Sequence, residues 1–266
     1  MIDTHCHLEQ SNYDKDRDAV IRRCKQQLQA VITSCANPAH LGLTLQLVRN
    51  YQGFIFATAS IHPSYVEKFS EEEIIEYIEQ IKSNKDHLVA IGETGLDYNW
   101  VKEAEWQEKQ KQLFVRLIEL AKQLQLPLVI HNRDSTEDTI ETLEQHAGKQ
   151  VHMHMFTNRA LLNRVIDNGW LISVNTLLLR SKNVKKIVRD CPIEQLMLET
   201  DSPWLGIDRD GKIKPKDEVR NEPTSVRLVA EKIADVKKIG IEQVDEQTTS
   251  NAIKFFRLNI EPNSDP

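Results

Sequence analysis

An apolar run followed by a charged, amphipathic stretch recurs eight times along the chain. The runs are short and nearly continuous in apolar character, as expected for strands buried on both faces of a parallel sheet. They are Ile2–His5, Ala30–Cys35, Phe54–Ile61, Leu88–Glu93, Leu128–His131, Val151–Met155, Trp170–Val174 and Leu196–Thr200. Strands that alternate with helices form right-handed βαβ units. The pattern therefore predicts an α/β fold built from eight such units.

The chain length selects one arrangement of these units. A TIM barrel, (β/α)₈, usually needs about 250 residues as a single domain, and the chain has 266. We therefore predict one TIM barrel over residues 1–260, followed by a disordered tail over 261–266. A doubly wound open sheet is the alternative, but no Gly-x-Gly-x-x-Gly motif follows any of the runs.

Several helix signals lie between the predicted strands. Ser70 followed by Glu73 forms a capping box ahead of an apolar stretch. The longest predicted helix, 104–125, keeps its leucines on one face, which indicates packing against the barrel. The longest predicted loop, 202–223, is rich in glycine and proline. Long irregular loops are typical of the rim around a barrel active site.

Composition and cysteine usage indicate a cytoplasmic protein. The four cysteines are irregularly spaced and include no Cys-x-x-Cys pair, which favours reduced thiols over a disulfide framework. No window approaches the roughly 20 apolar residues of a membrane helix, so we expect no membrane association. No basic segment followed by an apolar run opens the chain, so we also expect no secretory signal.

Potential metal ligands follow most of the predicted strands. His5 and His7 lie two apart at the end of the first strand, so their side chains share a face. This pair alone is a weak signal, because two surface histidines are common. Active sites of TIM barrels lie at the carboxyl ends of the strands, and later strands also end in His, Asp or Glu. The residues concerned are His5, His7, His62, Glu93, His131, His154 and Asp201. Their convergence predicts a metal site at this rim.

Leaving His62 aside, four imidazoles and two carboxylates remain as ligands, without a thiolate. This mixture suits Zn²⁺, Mn²⁺, Fe²⁺ or Ni²⁺, and Mg²⁺ less tightly. Six ligands exceed what one catalytic metal uses, because such a metal keeps a position open. We therefore predict two divalent ions about 3.5–4 Å apart, bridged by Glu93. Asp201 is the predicted ligand that also takes the proton of the attacking water.

The remaining histidines are predicted to lie outside the ligand set. His152 shares a face with His154 but lies two residues deeper in the barrel, where it would support the ligands or the core. His40, His87 and His146 lie on predicted helices or at strand starts, so we expect them to be solvated. The six ligands are thus selected by position and not by residue type alone.

Blocks of sequence around these ligands resemble the TatD family of metal-dependent deoxyribonucleases, within the amidohydrolase superfamily. The blocks occur in the family's order between residues 2 and 223. They are His5-x-His7, Gly92-Glu93-Thr94-Gly95-Leu96-Asp97-Tyr98, His131-x-Arg133, His154-Met155-Phe156, Glu199-Thr200-Asp201-Ser202-Pro203 and Arg220-Asn221-x-Pro223. The resemblance implies a TIM barrel that binds two divalent metals (Mg²⁺, Mn²⁺ or Zn²⁺) and hydrolyses DNA, often from the 3′ end. It implies the same six ligands.

The chain departs from the family pattern beside the site. Thr157-Asn158 stands where the family usually has Ser-Gly, and Trp204 stands where it has Tyr. Neither departure removes a ligand, but both affect positions suited to lining a substrate cleft. The net charge of −6 does not exclude a DNA substrate, because bound metal ions supply positive charge where it is needed.

Three residues are predicted to contact the substrate: His62, Arg133 and Asn221. Arg133 can pair with a phosphate as a planar fork, although a structural salt bridge is nearly as good an interpretation. Three lysines in the long loop, Lys212, Lys214 and Lys216, are solvated or steer phosphates. The predicted partner is DNA, as single strands or 3′ ends.

Two other functions remain open. An amide or ester hydrolase on the same scaffold is the first, for example a D-aminoacyl-tRNA deacylase, because fold alone does not choose the reaction. Several such relatives bridge their metals with a carboxylated lysine on the fourth strand, whereas this chain has Glu93 and no lysine from Leu88 to Asn99. A non-catalytic binding protein is the second, but the ligand set is intact.

Overall fold

The computed structural model describes residues 1–208 and 219–260. Eight strands, β1 to β8, alternate with the first eight of the helices α1 to α9 in this part of the chain. The strands are Ile2–Cys6, Ala30–Cys35, Ile55–Ala59, Ala90–Asp97, Leu128–Arg133, Val151–Met153, Leu171–Val174 and Leu196–Leu198. The helices are Arg17–Lys25, Leu41–Asn50, Glu71–Ser83, Ala104–Leu124, Thr136–His146, Leu162–Asp167, Lys182–Asp190, Val226–Lys237 and Ile241–Phe256.

The strands form one parallel sheet in the order β1 to β8. The sheet curls into a nearly closed barrel because backbone hydrogen bonds join its two edge strands. Asp201 N donates to His5 O at 2.9 Å, and His7 N donates to Ser202 O at 2.8 Å. The predicted TIM barrel is therefore confirmed. The predicted limits of the domain, 1–260, stay a prediction, and the predicted tail, 261–266, lies outside the described residues.

A buried carboxylate strengthens this closure. Asp3 Oδ2 accepts the hydroxyl of Thr200 at 2.6 Å, and Asp3 Oδ1 accepts the backbone N–H of Thr200 at 3.0 Å. Asp3 is completely buried, and this burial raises its pKa well above the usual value despite those bonds. The contact fixes the start of β1 against the residues that follow β8.

All eight predicted strands are present, with shifted ends. Strand β4 continues to Asp97, four residues beyond its predicted end, and β5 continues to Arg133. Polar residues extend both strands because β4 and β5 pair with each other along this stretch, with Gly95 opposite His131. A Cβ atom on Gly95 would lie 2.0 Å from His131 O, so only glycine allows this approach. The close pairing brings β4 side chains next to His131.

The helix signals are also confirmed. Ser70 and Glu73 form the predicted capping box at the start of α3. The long helix α4 covers Ala104–Leu124 and buries most of its leucines against the barrel. No helix in the described ranges has the length and apolar character to cross a membrane. The loop lysines Lys212, Lys214 and Lys216 fall in the undescribed part of the chain.

One polar residue of α4 is buried against the barrel rim. Gln110 Oε1 accepts the backbone N–H of Asp97 at 3.0 Å. Gln110 Nε2 donates to the carbonyls of Pro63 and Asp97 at 3.0 and 3.2 Å. The side chain therefore ties the end of β4 to the loop after β3, which holds two neighbouring parts of the rim in place.

Gln110→Ala is expected to lower the free energy of unfolding by about 2 kcal/mol, because it leaves buried backbone groups without partners. Urea denaturation followed by circular dichroism measures the change. Gln112→Ala is the matched control on the same helix, since Gln112 is exposed and bonds only to Glu108 in the described structure. The control is expected to change stability by less than about 0.5 kcal/mol. Equal stability of the two variants would contradict the stabilising role given to the buried hydrogen bonds of Gln110.

Candidate metal centre

The six predicted ligands meet at the carboxyl end of the barrel. His5 belongs to β1 and His7 follows it; Glu93 belongs to β4 and His131 to β5. His154 follows β6, and Asp201 follows β8 with a left-handed backbone, φ 56°. Because the strands end at the same rim, they bring together side chains that are far apart in the sequence. We call these six residues the candidate metal centre.

Glu93 lies at the middle of the candidate metal centre, and its two oxygens face different neighbours. Glu93 Oε2 lies 3.5 Å from His5 Nε2 and 4.0 Å from His7 Nε2. Glu93 Oε1 lies 2.8 Å from His131 Nδ1 and 2.9 Å from His154 Nε2. Asp201 Oδ1 lies on the first side, 3.4 Å from His7 Nε2. One carboxylate thus separates two groups of potential ligands.

The histidines keep Glu93 ionised. Burial by itself raises the pKa of Glu93, but nearby imidazoles, those of His154, His62 and His131, outweigh it and hold the pKa well below its usual value. Glu93 is only 4% exposed. A buried carboxylate anion requires compensating positive charge. This position therefore favours a cation.

The carboxylates have the opposite effect on three imidazoles. Burial lowers the pKa of His7, but hydrogen bonds with Asp201 and Glu9 raise it to about 10. Burial also lowers the pKa of His131 and His154, yet Asp97 and Glu93 raise the first, and Glu93 and Glu199 raise the second. These three imidazoles therefore hold protons more tightly than a free imidazole does, and a metal ion would compete with those protons.

His5 provides a test of whether the residues fit a metal. It is completely buried, and neither ring nitrogen has a hydrogen-bond partner among the described residues. Burial, followed by the nearby His154, lowers its pKa, so the ring is neutral. A neutral buried imidazole with a free nitrogen near carboxylates is suited to ligate a metal ion. Ligand atoms of His5, His7 and Glu93 lie within 4.8 Å of one another, as do those of Glu93, His131 and His154.

Three buried carboxylates that the sequence analysis did not place in the site contact the candidate ligands. Glu9 Oε1 lies 3.2 Å from His7 Nδ1, Asp97 Oδ2 lies 2.9 Å from His131 Nε2, and Glu199 Oε2 lies 3.5 Å from His154 Nδ1. Partners of this kind orient metal-binding imidazoles and increase their basicity. The available signal was proximity in sequence, because each carboxylate lies in or beside a block that contains a ligand.

His152 takes the supporting position expected for it. Its ring is completely buried, with Nε2 2.6 Å from Ser173 Oγ. Ser173 Oγ donates to Glu199 Oε2 at 2.5 Å, and Glu199 contacts His154. Burial lowers the pKa of His152 to about 3, so the ring is neutral. A continuous chain of contacts thus links the barrel interior to His154.

Two of the three predicted substrate contacts line the cleft above the candidate metal centre. His62 Nε2 lies 3.5 Å from Glu93 Oε1, and its Nδ1 accepts the backbone N–H of Ser64 at 3.1 Å. Nε2 therefore carries the proton of the neutral ring. Arg133 is exposed at the cleft wall and forms no salt bridge within the described structure.

Asn221 lies elsewhere. Its side chain is 4% exposed, donates to Thr200 O at 3.2 Å, and accepts from Glu222 N and Ser225 Oγ at 3.0 and 2.7 Å. These bonds fix the start of α8 against the barrel. Asn221 does not line the cleft above the candidate metal centre, and its predicted contact with a substrate stays a prediction.

A cleft of about 1550 Å³ opens over the candidate metal centre. Its walls come from the loops that follow the strands and include Trp100, Arg133, Asn158 and Trp204. The two departures from the family pattern, at 157–158 and 204, both lie on these walls. Barrel and site together define the class: a TIM barrel whose rim can hold divalent ions below an open cleft, as in metal-dependent hydrolases.

Comparisons with known proteins agree with this class. The model of the family of TatD-related DNases matches residues 2–257. A Homo sapiens protein named deoxyribonuclease TATDN3 is 33% identical over 96% of this chain and 94% of its own length. A Bacillus subtilis protein named uncharacterized metal-dependent hydrolase YabD is 33% identical over 97% of this chain and 100% of its own length. The crystal structure of a TatD family hydrolase from Entamoeba histolytica has a TM-score of 0.86 at 24% identity, covering 96% of this chain and 97% of that one.

The chain therefore belongs to the family of TatD-related DNases. It is a metal-dependent hydrolase, an enzyme that acts on ester bonds. The resemblance found in the sequence blocks is confirmed. The family membership also supports an enzyme over the alternative of a non-catalytic binding protein.

Metal binding is expected to strengthen as the pH rises. The raised pKa values of His7, His131 and His154 mean that a metal ion has to displace protons. The affinity for Mn²⁺ is expected to rise about tenfold per pH unit for each proton displaced. Isothermal titration at about pH 6 and about pH 8, in buffers of different ionisation enthalpy, measures both affinity and proton release. An affinity independent of pH, without proton release, would contradict the assigned ligands.

Proposed function

We propose that this protein hydrolyses phosphodiester bonds of DNA at the candidate metal centre, using two divalent metal ions. The observation that carries the proposal is the division of ligands by Glu93, whose two oxygens face separate groups. A carboxylate in this position is suited to bridge two ions. The name of the Homo sapiens relative, a deoxyribonuclease at 33% identity, supports DNA as the substrate.

The proposed ligands fall into two groups that share Glu93. His5, His7 and Asp201 would hold one ion, with Glu93 Oε2. His131 and His154 would hold the other, with Glu93 Oε1. Imidazole and carboxylate ligands suit Zn²⁺ and Mn²⁺, and Mg²⁺ less tightly. Bound divalent ions would supply Lewis acidity and positive charge, which make water a better nucleophile and stabilise the negative charge of a phosphoryl transition state.

The protein's own groups would manage protons and orientation. The side chain of Asp201 is 16% exposed, at the boundary between the candidate metal centre and the cleft. We infer that this carboxylate accepts the proton of the attacking water. His62, with its proton on Nε2, would donate to a phosphate oxygen. The guanidinium of Arg133, which has no carboxylate partner among the described residues, would bind a neighbouring phosphate as a fork.

We extend the proposal to single-stranded DNA or 3′ ends. Glu93 and His154 are each only 4% exposed, at the floor of the cleft. A single strand can bend its backbone into such a cleft, whereas a stiff duplex can reach the floor only if it is deformed. This geometry favours cleavage near a free end, as in a 3′-exonuclease.

A cytoplasmic location is also proposed. All four cysteines are free and buried. Cys6, between the two histidines of β1, donates its thiol to Ile32 O at 3.4 Å on the other side of the strand. Free thiols suit a reducing compartment.

The deciding experiment compares substrates under controlled metal content. Protein stripped with a chelator receives Mg²⁺, Mn²⁺ or Zn²⁺, and is then incubated with single-stranded DNA, duplex DNA or a D-aminoacyl-tRNA. The proposal expects metal-dependent release of nucleotides, faster from single strands. Deacylation of the tRNA without cleavage of DNA would replace the proposal by the ester-hydrolase alternative.

His131→Ala and Asp201→Asn are each expected to lower DNA hydrolysis at least about 100-fold, because loss of an outer partner alone often costs 10–100-fold in such sites. Initial rates with saturating metal ion measure the effect. Both variants are expected to keep the fold, since rim residues add little to the apolar core.

Matched controls change the same residue types away from the candidate metal centre. His146→Ala alters a histidine at the end of α5, and Asp235→Asn alters an exposed aspartate of α8 that pairs with Lys232. Both controls are expected to retain wild-type rates. A fully active Asp201→Asn variant would remove Asp201 from the proposed mechanism.

A further inference from the structure

Trp100 is an exposed tryptophan on the wall of the cleft. It is 67% exposed, more than Ile75 at 48% and Leu228 at 44%, the other exposed large apolar residues of the described chain. A large apolar side chain in water gives up the benefit of burial. Trp100 lines the same cleft as Glu93 and Asp201, whereas Ile75 and Leu228 lie outside it. The exposed indole of Trp100 therefore lies where a substrate would enter the cleft.

The backbone that carries Trp100 is fixed relative to the candidate metal centre. Asp97 Oδ1 accepts the backbone N–H groups of Asn99 and Trp100 at 2.9 and 2.8 Å. Asp97 Oδ2 contacts His131 Nε2 at 2.9 Å. The next residue, Val101, is 2% exposed and anchors the chain. The indole is thus displayed to solvent from a held backbone, as a rigid recognition element would be.

A guanidinium lies beside this indole. Arg133 Cζ lies 5.8 Å from the centroid of the Trp100 ring. The other arginine among the described residues that line the cleft is neutralised, because Arg159 pairs with Asp190 at 2.9 Å. Within the described residues, Arg133 has no carboxylate partner. An aromatic face next to an unpaired cation matches the two components of a nucleotide, a base and a phosphate.

We infer that Trp100 is a stacking site for a nucleobase of the DNA strand held in the cleft, with Arg133 binding an adjacent phosphate. The inference rests on the proposed function and adds a substrate-binding residue to it. Stacking accepts any base, because every base has an aromatic face. The site would therefore select an unpaired strand without selecting its sequence.

The test compares two strands that differ only in their bases. One is oligothymidylate, and the other is an abasic strand of the same length with the same phosphates. Steady-state hydrolysis by the metal-loaded enzyme gives KM and kcat for each strand. Trp100→Ala is expected to raise KM for oligothymidylate roughly tenfold, with little change in kcat. Its KM for the abasic strand is expected to equal that of the wild type.

Two further variants separate stacking from a general effect on structure. Trp100→Phe keeps an aromatic face and is expected to stay within about threefold of the wild-type KM. Ile75→Ala removes an exposed apolar side chain outside the cleft and is expected to behave as the wild type. Size-exclusion chromatography of each variant shows whether Trp100 instead supports contact between protein copies.

The inference is overturned if Trp100→Ala keeps the wild-type KM for oligothymidylate, or if KM rises equally for both strands. A change in oligomeric state without a change in the KM ratio also overturns it, in favour of a protein interface. If the wild-type enzyme hydrolyses neither strand, the proposed function fails and the inference falls with it. The rate of the wild type thus distinguishes the two failures.

Discussion

The carboxylate of Glu93 is the group on which the arrangement of the rim depends. Five imidazoles have a nitrogen within 4.0 Å of its oxygens, those of His5, His7, His62, His131 and His154. They come from four different strands or the loops that follow them. A buried anion would be costly without them. The barrel therefore has to deliver all of these rings to one place, or leave a charge without compensation.

Closure of the barrel makes this delivery possible. His5 and His7 come from the first strand and Asp201 follows the last, so they meet only because β1 and β8 are joined. The Asp3–Thr200 contact and the hydrogen bond from Asp201 N to His5 O make that join. The first and last strands of the barrel thus create one half of the candidate metal centre. The other half contains His131 and His154, which come together because β5 and β6 are adjacent strands.

Much of this arrangement follows from the sequence, and the exceptions have physical causes. Apolar runs predict the strands, and the residues that end them predict the ligands, because a parallel barrel places all carboxyl ends at one rim. This reasoning does not predict Asp97 or Glu9. Asp97 lies inside a paired strand and Glu9 is buried beyond the end of one, and neither position gives a periodic signal in the sequence. Asn221 shows the reverse case: it stands in a family block, yet its amide bonds to Thr200 O and Ser225 Oγ and does not line the cleft.

Chemistry and recognition occupy different parts of the fold but meet at Asp97. The strand ends supply the proposed ligands, whereas the loops supply the cleft walls, including Trp100, Asn158 and Trp204. Departures from the family pattern fall on the walls, where they can alter substrate choice without disturbing the ligands. Asp97 contacts both parts, with one oxygen on His131 and the other on the loop that carries Trp100. Substitution of Asp97 would therefore change metal binding and substrate binding together. Substitution of Trp100 would change substrate binding alone.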